Sequence, residues 1–333
     1  MKLLVFCARE DESYLYEEYN LRYRFEIEFT KKCLTVENAK MAEGFDAVVI
    51  LTSCRIDRTL AFLLMQDGVK YILSRAAGTD HLDLTAIEEA GLAVANVPFY
   101  PPESIAEHTV MLMLMLLRHM KREMKMIGAC NFTMDGLKGR TLKNLTVGIF
   151  GFGRIGRTVA EILRGFGCRK VLAYSRHTTS KIPSDVQFVS REELFLQSDI
   201  LSFHCPLTSE TAHILSHDSM EHLKNGVLLV NTARGGLFDY SAVLERMKAG
   251  KIGGLAMDVF EDEAQFIRKN MAGYGPENFV LQELLNMENV IFTAHIGFYT
   301  EESVAAMVAT SLRNLYEMSV LEKCGNQLTN AGK

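Results

Sequence analysis

The sequence predicts an α/β fold of two doubly wound parallel-sheet domains in series with a cleft between them, on three observations. Short apolar runs alternate with helix-period segments, and the alternation begins twice. A glycine-rich turn follows the first strand of the second series. The 333 residues exceed the length at which a single core usually stops growing.

In chain order, "KLLVFCA", "DAVVILT", "YILSRA" and "AVANV" read as buried strands of the first sheet, each followed by a polar or helix-period stretch. "NVPFYPPESIAEHTVMLMLMLLRHMKRE" then places two prolines before a helix. Glu103 and Glu107 fall in its first turns and basic residues at its end, matching the helix dipole. This helix is expected between the domains. "LTVGIFG", "KVLAYS", "ILSFHCP", "VLLVNTA", "IGGLAMDVF" and "NVIFTAHI" supply the second sheet. After "IFTAHIGFYTEES" one amphipathic helix remains with no sheet of its own, so the last residues are expected to return to the first domain. The expected division is a discontinuous substrate domain, 1–101 plus 299–333, and a dinucleotide-binding domain, 102–298.

Composition narrows the function. With 36 basic and 41 acidic residues and a net charge of -5, the chain lacks the electrostatic footprint of a nucleic-acid or anionic-lipid binder. "MKLLVFCARE" is too short an apolar run for a signal peptide and reads as a first strand. "TVMLMLMLLRHM" falls well short of the roughly 20 apolar residues a membrane crossing needs, so no membrane association is expected. The seven cysteines (Cys7, Cys33, Cys54, Cys130, Cys168, Cys205, Cys324) are scattered, odd in number and without a CxxC pair. Neither a disulfide framework nor a zinc site is expected from them, nor any other metal, and the protein is placed in the cytoplasm.

The strand ending at Phe150 runs into Gly151, Gly153 and Gly156, with Arg154 and Ile155 inside the hexapeptide, and then into the helix "RTVAEILRGFG". The first glycine permits a tight turn, the second lets backbone approach a pyrophosphate, and the third allows the helix to pack closely on the strand. With strand, turn, helix and next strand all in register, this is a Rossmann-like dinucleotide site. About twenty residues on, an acidic residue would accept the adenosine ribose hydroxyls and repel a 2′-phosphate. Here the chain has Ser175, Arg176 and His177, which remove that repulsion and add cations. NADP(H) is therefore favoured, with NAD(H) possible.

Three later strand ends each carry one reactive residue. "VNTARGGLFD" holds Arg234 with Gly235 and Gly236 giving the turn, "AMDVFEDE" holds Asp258 and Glu263, and "IFTAHIGFY" holds His295. Ligands collect beyond the carboxyl ends of strands in such sheets. An arginine can hold a carboxylate bidentately, and a histidine can donate the proton that accompanies hydride. A glutamate beside that imidazole would favour its protonated form. This set suits reduction of a 2-oxo acid. The other histidines lack such company, although His204 in "FHCP" stands at a strand end and is expected to line the cofactor cleft with Pro206, as are Thr232 and Ala233 in "NTA".

With GFGRIG, "HCPLTSET", "VNTARGG", "AMDVFEDE" and "AHIGFYTEES" in order, the chain resembles the D-2-hydroxyacid dehydrogenase family, in its D-lactate dehydrogenase branch, over nearly its whole length. The resemblance implies Arg234 on the substrate carboxylate and carbonyl, Glu263 as partner of the acid/base His295, and Asp258 holding the nicotinamide end. It also implies Ala77 and Gly78 of "SRAAGTDHLD" as backbone donors to the carboxylate, with Tyr100 and Tyr299 at the substrate wall. Phe298 precedes Tyr299 as in the lactate branch. A homodimer built through the cofactor domain is implied as well. Ser175 replaces an aspartate frequent in the family, and the segment around it is similar to that of the vancomycin-resistance D-lactate dehydrogenases. Leu51 and Thr52 stand where lactate enzymes often carry an aromatic residue, which leaves room for larger 2-oxo acids. The reaction expected is reduction of pyruvate to D-lactate. The alternatives are reduction of bulkier branched or aromatic 2-oxo acids and, in another class, a dinucleotide-sensing scaffold.

Overall fold

Each apolar run becomes a parallel strand whose flanking helices cover its faces. The computed structural model describes residues 1–176 and 183–330; His177 lies outside them. The chain divides into two compact units, Met1–Pro101 with Tyr299–Lys333, and Pro102–Phe298.

The first unit carries a five-stranded parallel sheet: β1 (Lys2–Val5), β2 (Glu26–Phe29), β3 (Ala47–Ile50), β4 (Tyr71–Ser74) and β5 (Ala93–Asn96), in the order β2-β1-β3-β4-β5. β3 and β5 are buried on both faces, as parallel strands under helices must be. The helix Glu301–Ser319 packs Val304, Val308, Leu312 and Leu315 against Leu3, Val5 and Val49. Asn314 on that helix donates to the Asn96 carbonyl at 2.7 Å, and Leu328 donates to the Val94 carbonyl at 2.8 Å. The C-terminal segment thereby closes the free edge of β5.

The second unit carries seven parallel strands: β6 (Thr146–Phe150), β7 (Lys170–Tyr174), β8 (Val186–Phe188), β9 (Ile200–Phe203), β10 (Val227–Asn231), β11 (Ile252–Met257) and β12 (Val290–Phe292). Their order is β12-β11-β10-β9-β6-β7-β8, so connections reverse direction between β6 and β9. The helix Pro102–Leu117 buries Val110, Met113, Leu116 and Leu117 in this unit's core with Val147, Ile149 and Val159. Among the described residues no helix is long and apolar enough to cross a membrane.

Three expectations need correction. Two of the four edge strands, β2 and β8, have no counterpart in the sequence reading, because "EIEF" is mostly exposed and "VQF" has three residues. The helix after Pro101 is two helices. His119 takes a left-handed backbone (φ 52°) and separates Pro102–Leu117 from Met120–Gly128, so Lys121 and Arg122 belong to the second while Arg118 lies between the two. Finally, the cysteines are not all scattered: Cys7 and Cys33 form a disulfide, with Cys54 beside them. They follow β1, β2 and β3, which are sheet neighbours, so parallel topology gathers at one edge what the sequence separates.

Candidate active site

The glycine turn after β6 behaves as three distinct devices. Gly151 has φ +99°, and a Cβ there would lie 2.7 Å from the His204 carbonyl, so both backbone angle and space demand glycine. A Cβ on Gly156 would lie 2.2 Å from the Gly151 carbonyl oxygen, because the helix Arg154–Gly165 is packed onto the turn. A Cβ on Gly153 would meet nothing within 4 Å, so that face is open to a ligand. Gly153 is also the N-cap of this helix and supplies no side-chain acceptor, which leaves the first helical N–H groups able to receive phosphate.

A cavity of about 430 Å³ opens beside it, at the sheet's switch point between β6 and β9. Among the expected cofactor residues its lining includes Gly151, Gly153, Ser175, Arg176, His204 and Pro206. The guanidinium of Arg176 pairs with Glu210, which also lines the cavity. Arg191, a cation the sequence reading passed over, lines it too. Burial drives the His204 pKa down to about 3, and its Nε2 lies 2.8 Å from the Ser202 hydroxyl. The ring is therefore a neutral wall. These residues fit a dinucleotide.

The other cofactor candidates lie outside this lining. Arg154 and Ile155 start the helix, and Gly156 sits beneath it. The Thr232 hydroxyl is 2.8 Å from that of Thr109, inside the unit, and Ala233 is fixed by its N–H on Asn231 Oδ1 at 3.1 Å. Asp258 is likewise occupied. Its Oδ1 accepts from Thr293 Oγ1 at 2.6 Å and Ile296 N at 2.9 Å, and its Oδ2 accepts from Gly297 N at 2.8 Å. Burial would raise this carboxyl, but His108 and Thr293 outweigh that and hold it below the usual carboxylate range. The Thr232 hydroxyl and the Asp258 carboxylate thus both have partners inside the unit.

Arg234, Glu263 and His295 are joined by one chain of contacts. Asn231, at the end of β10, donates to the Arg234 carbonyl at 2.9 Å, and Arg234 Nη1 donates to the Ala233 carbonyl at 2.8 Å. A Cβ on Gly235 would lie 2.0 Å from the Phe260 carbonyl carbon, so glycine is needed there for close approach and not for an unusual φ. That approach seats the Arg234 turn on the segment Phe260–Glu261. Glu263 Oε2 accepts from Phe260 N at 2.8 Å, while its Oε1 meets His295 Nδ1. His295 has a left-handed backbone (φ 54°), pinned by its N–H on the Asp258 carbonyl at 2.8 Å. With Nδ1 engaged, Nε2 is the nitrogen left for chemistry. His108, given no role by the sequence reading, has Nε2 3.0 Å from Thr293 Oγ1 and 3.4 Å from Asp258 Oδ1.

The remaining candidates belong to the first unit. The Ala77 carbonyl accepts from Asn96 Nδ2 at 2.9 Å, and Ala77 is exposed, as backbone donors to a ligand must be. Gly78 and Tyr100 are partly exposed. Tyr299 donates its hydroxyl to Asp11, and the Arg9 guanidinium stacks 4.5 Å above its ring.

Comparison with known proteins agrees with this geometry. Residues 110–297 match the family model described as D-isomer specific 2-hydroxyacid dehydrogenase, NAD binding domain. The chain is 38% identical over 330 residues to the D-lactate dehydrogenase of Escherichia coli K12, covering 98% of this chain and 100% of that one. It is 36% identical over 327 residues to an aromatic 2-oxoacid reductase of Clostridium sporogenes, covering 98% and 99%. The solved apo-structure of the E. coli D-lactate dehydrogenase superposes with a TM-score of 0.87 at 37% identity, over 98% of this chain and 100% of that chain. A glycine turn open to phosphate, a switch-point cavity and a histidine–glutamate pair beside an arginine turn thus coincide with matches along the whole chain, which belongs to the D-isomer specific 2-hydroxyacid dehydrogenase family of nicotinamide-dependent oxidoreductases.

Proposed function

We propose that this enzyme reduces pyruvate to D-lactate, with NADPH preferred over NADH. The observation that carries the reaction type is the His295 Nδ1–Glu263 pair on a loop locked to the turn that bears Arg234. A nicotinamide dinucleotide held at the β6 glycine turn would supply the hydride. The Arg234 fork takes the carboxylate and polarises the ketone, as a bidentate guanidinium does. His295 delivers a proton from Nε2 to the forming alkoxide, so hydride plus proton convert 2-oxo to 2-hydroxy acid. Glu263 fixes the orientation of the ring through Nδ1 and so aims Nε2 at the substrate. Asp258, Thr293 and His108 are positioning groups that hold the His295 loop. Backbone N–H groups at Ala77 and Gly78 would complete the carboxylate site, with Tyr100 and Tyr299 as walls. The working form is proposed to be a cytoplasmic homodimer.

Ser175 and Arg176 support the cofactor preference: the strand end carries no carboxylate to repel a 2′-phosphate, and a guanidinium lines the cavity. Glu210 holds that guanidinium now, so the phosphate has to take it over. A charge-assisted contact of about 1.5–3 kcal/mol corresponds to roughly 10- to 150-fold preference. The test is initial rates with pyruvate under NADPH and NADH, then product chirality, in wild type and Ser175→Asp. A D-lactate product with faster NADPH turnover, reversed in the variant, is expected; equal rates with both cofactors would refute the preference.

A second reading rests on Leu51 and Thr52, which place no aromatic ring at the pocket position, and on the similarity to a protein named aromatic 2-oxoacid reductase. Higher kcat/KM for phenylpyruvate or 2-oxoisocaproate than for pyruvate would select it.

A further inference from the structure

The cysteines gathered in the first unit form a site that the dehydrogenase reaction does not use. β1, β2 and β3 are adjacent and parallel, and each is followed by a cysteine at the same sheet edge: Cys7, Cys33 and Cys54. Their three sulfurs all lie within 4.8 Å of one another. Cys7 and Cys33 are paired, and the Cys54 sulfur is 3.4 Å from that of Cys7. A disulfide has no need of a third sulfur in contact. The order β2-β1-β3-β4-β5 also puts the reversal of connection between β1 and β3, where an open α/β sheet has its ligand crevice.

Hydrogen-bonding groups stand close around these sulfurs. Cys54 is fully buried and Cys7 nearly so. The Leu34 N–H donates to Cys54 Sγ at 3.2 Å, and the Ser53 hydroxyl stands 3.4 Å from the sulfurs of both Cys7 and Cys33. The buried Arg75 guanidinium lies within electrostatic reach of Cys54. Such donors spread negative charge over sulfur, the outer-shell role that tunes a metal thiolate. Three thiolates this close, two of them at buried positions, would repel one another unless a cation sat among them.

We propose that Cys7, Cys33 and Cys54, once reduced, bind a soft thiophilic metal ion, with Cu(I) as the fitting species. Sulfurs around a common ion at bonds of about 2.3 Å are roughly 3.8–4 Å apart, so small side-chain shifts from the observed spacing suffice. Three sulfur ligands suit Cu(I), whereas structural Zn(II) asks for four protein ligands. The state with the disulfide and the state with the metal exclude each other. A dithiol reductant gives two electrons and two protons to the Cys7–Cys33 bond, leaving three thiols and an oxidised dithiol. Metal binding then releases thiol protons to solvent as metal–sulfur bonds form. The ion ties together the segments that follow β1, β2 and β3, including Leu51 and Thr52.

The full-length protein is reduced, freed of metal under anaerobic conditions, and titrated with Cu(I) against a chromophoric Cu(I) chelator, with Zn(II) in a parallel arm. Wild type is expected to take a single Cu(I) per chain from the chelator, with the absorption of a copper–thiolate bond. Cys54→Ser and Cys33→Ser are expected to lose that competition, while the Cys130→Ser control, at an exposed cysteine, keeps it. An unchanged circular-dichroism spectrum and cooperative melting of each variant show that both compact units have folded. Failure of reduced wild type to compete for Cu(I), retention of Cu(I) by Cys54→Ser, or binding of Zn(II) alone would overturn the proposal. So would reduced protein that only re-forms the Cys7–Cys33 disulfide on exposure to air and takes up no metal beforehand.

Discussion

At His295 the ring is held from two directions, with Glu263 on Nδ1 and the backbone N–H on the Asp258 carbonyl. Replacing it by alanine removes the proton donor and leaves the β6 glycine turn untouched. His295→Ala is expected to lower kcat on the order of 10²–10⁴-fold, with cofactor affinity near wild type when followed by nicotinamide fluorescence. Loss of cofactor binding in step with kcat would show the ring to be structural. His204 makes the opposite case. Its folded pKa of about 3 is depressed below the 6.5 of a free imidazole, so between those values the unfolded chain binds the extra proton. Stability must therefore fall as pH drops through this window, by up to about 1.4 kcal/mol per pH unit. His204→Gln is expected to lose less stability than wild type between pH 6.5 and pH 4 in denaturant titrations; parallel curves would refute the assignment. Arg234, Glu263 and His295 were legible because each stands just past an apolar run. His108 was not, since its partner Thr293 is 185 residues away and neither residue type signals the pairing.

Among the elements, turns carry more of the site than strands do. Gly235 looks in the sequence like part of a flexible turn, yet its hydrogen side faces the backbone of Phe260 and Glu261 at distances no Cβ tolerates. Gly235→Ala must push that segment away, and with it Glu263, which is bonded to Phe260 N. Overpacking of this kind costs about 1–3 kcal/mol. The variant should therefore melt several degrees lower and lose kcat, while Gly153→Ala, with open space at its Cβ, should keep its melting temperature and lose cofactor affinity. Equal melting of both with equal loss of affinity would contradict the division of roles. The Arg176–Glu210 pair gives a second element-scale test. An exposed ion pair is worth about 0.2–1 kcal/mol, so Glu210→Gln should raise the NADPH-to-NADH ratio of kcat/KM about 1.5- to 5-fold. A fall in the ratio would mean that Glu210 contributes to the phosphate site and does not compete with it. Strands covered on both faces, the edge strand β5 included, were legible as continuous apolar runs; β2 and β8 were not, because β2 is largely exposed and β8 has only three residues.

For the molecule as a whole, the sequence is most legible where a signal is local and least where topology creates the neighbourhood. The glycine spacing and the strand alternation are read within one window, whereas Cys7, Cys33 and Cys54 become neighbours only once the strand order is known. Self-association belongs to the same scale. The helix Met120–Gly128 buries none of its residues within the chain, although it carries Met124 and Ile127, and Phe132 and Met134 follow it. These four are 50–85% exposed, and a run of large apolar side chains left in water marks an interface. If a second copy covers it, wild type should sediment as a dimer at micromolar concentration. Ile127→Glu should shift the species toward monomer, because a carboxylate placed in such a contact is desolvated without a partner. A monomeric wild type would remove the homodimer from the proposed function, and a dimer unmoved by Ile127→Glu would send the interface to another face of the chain.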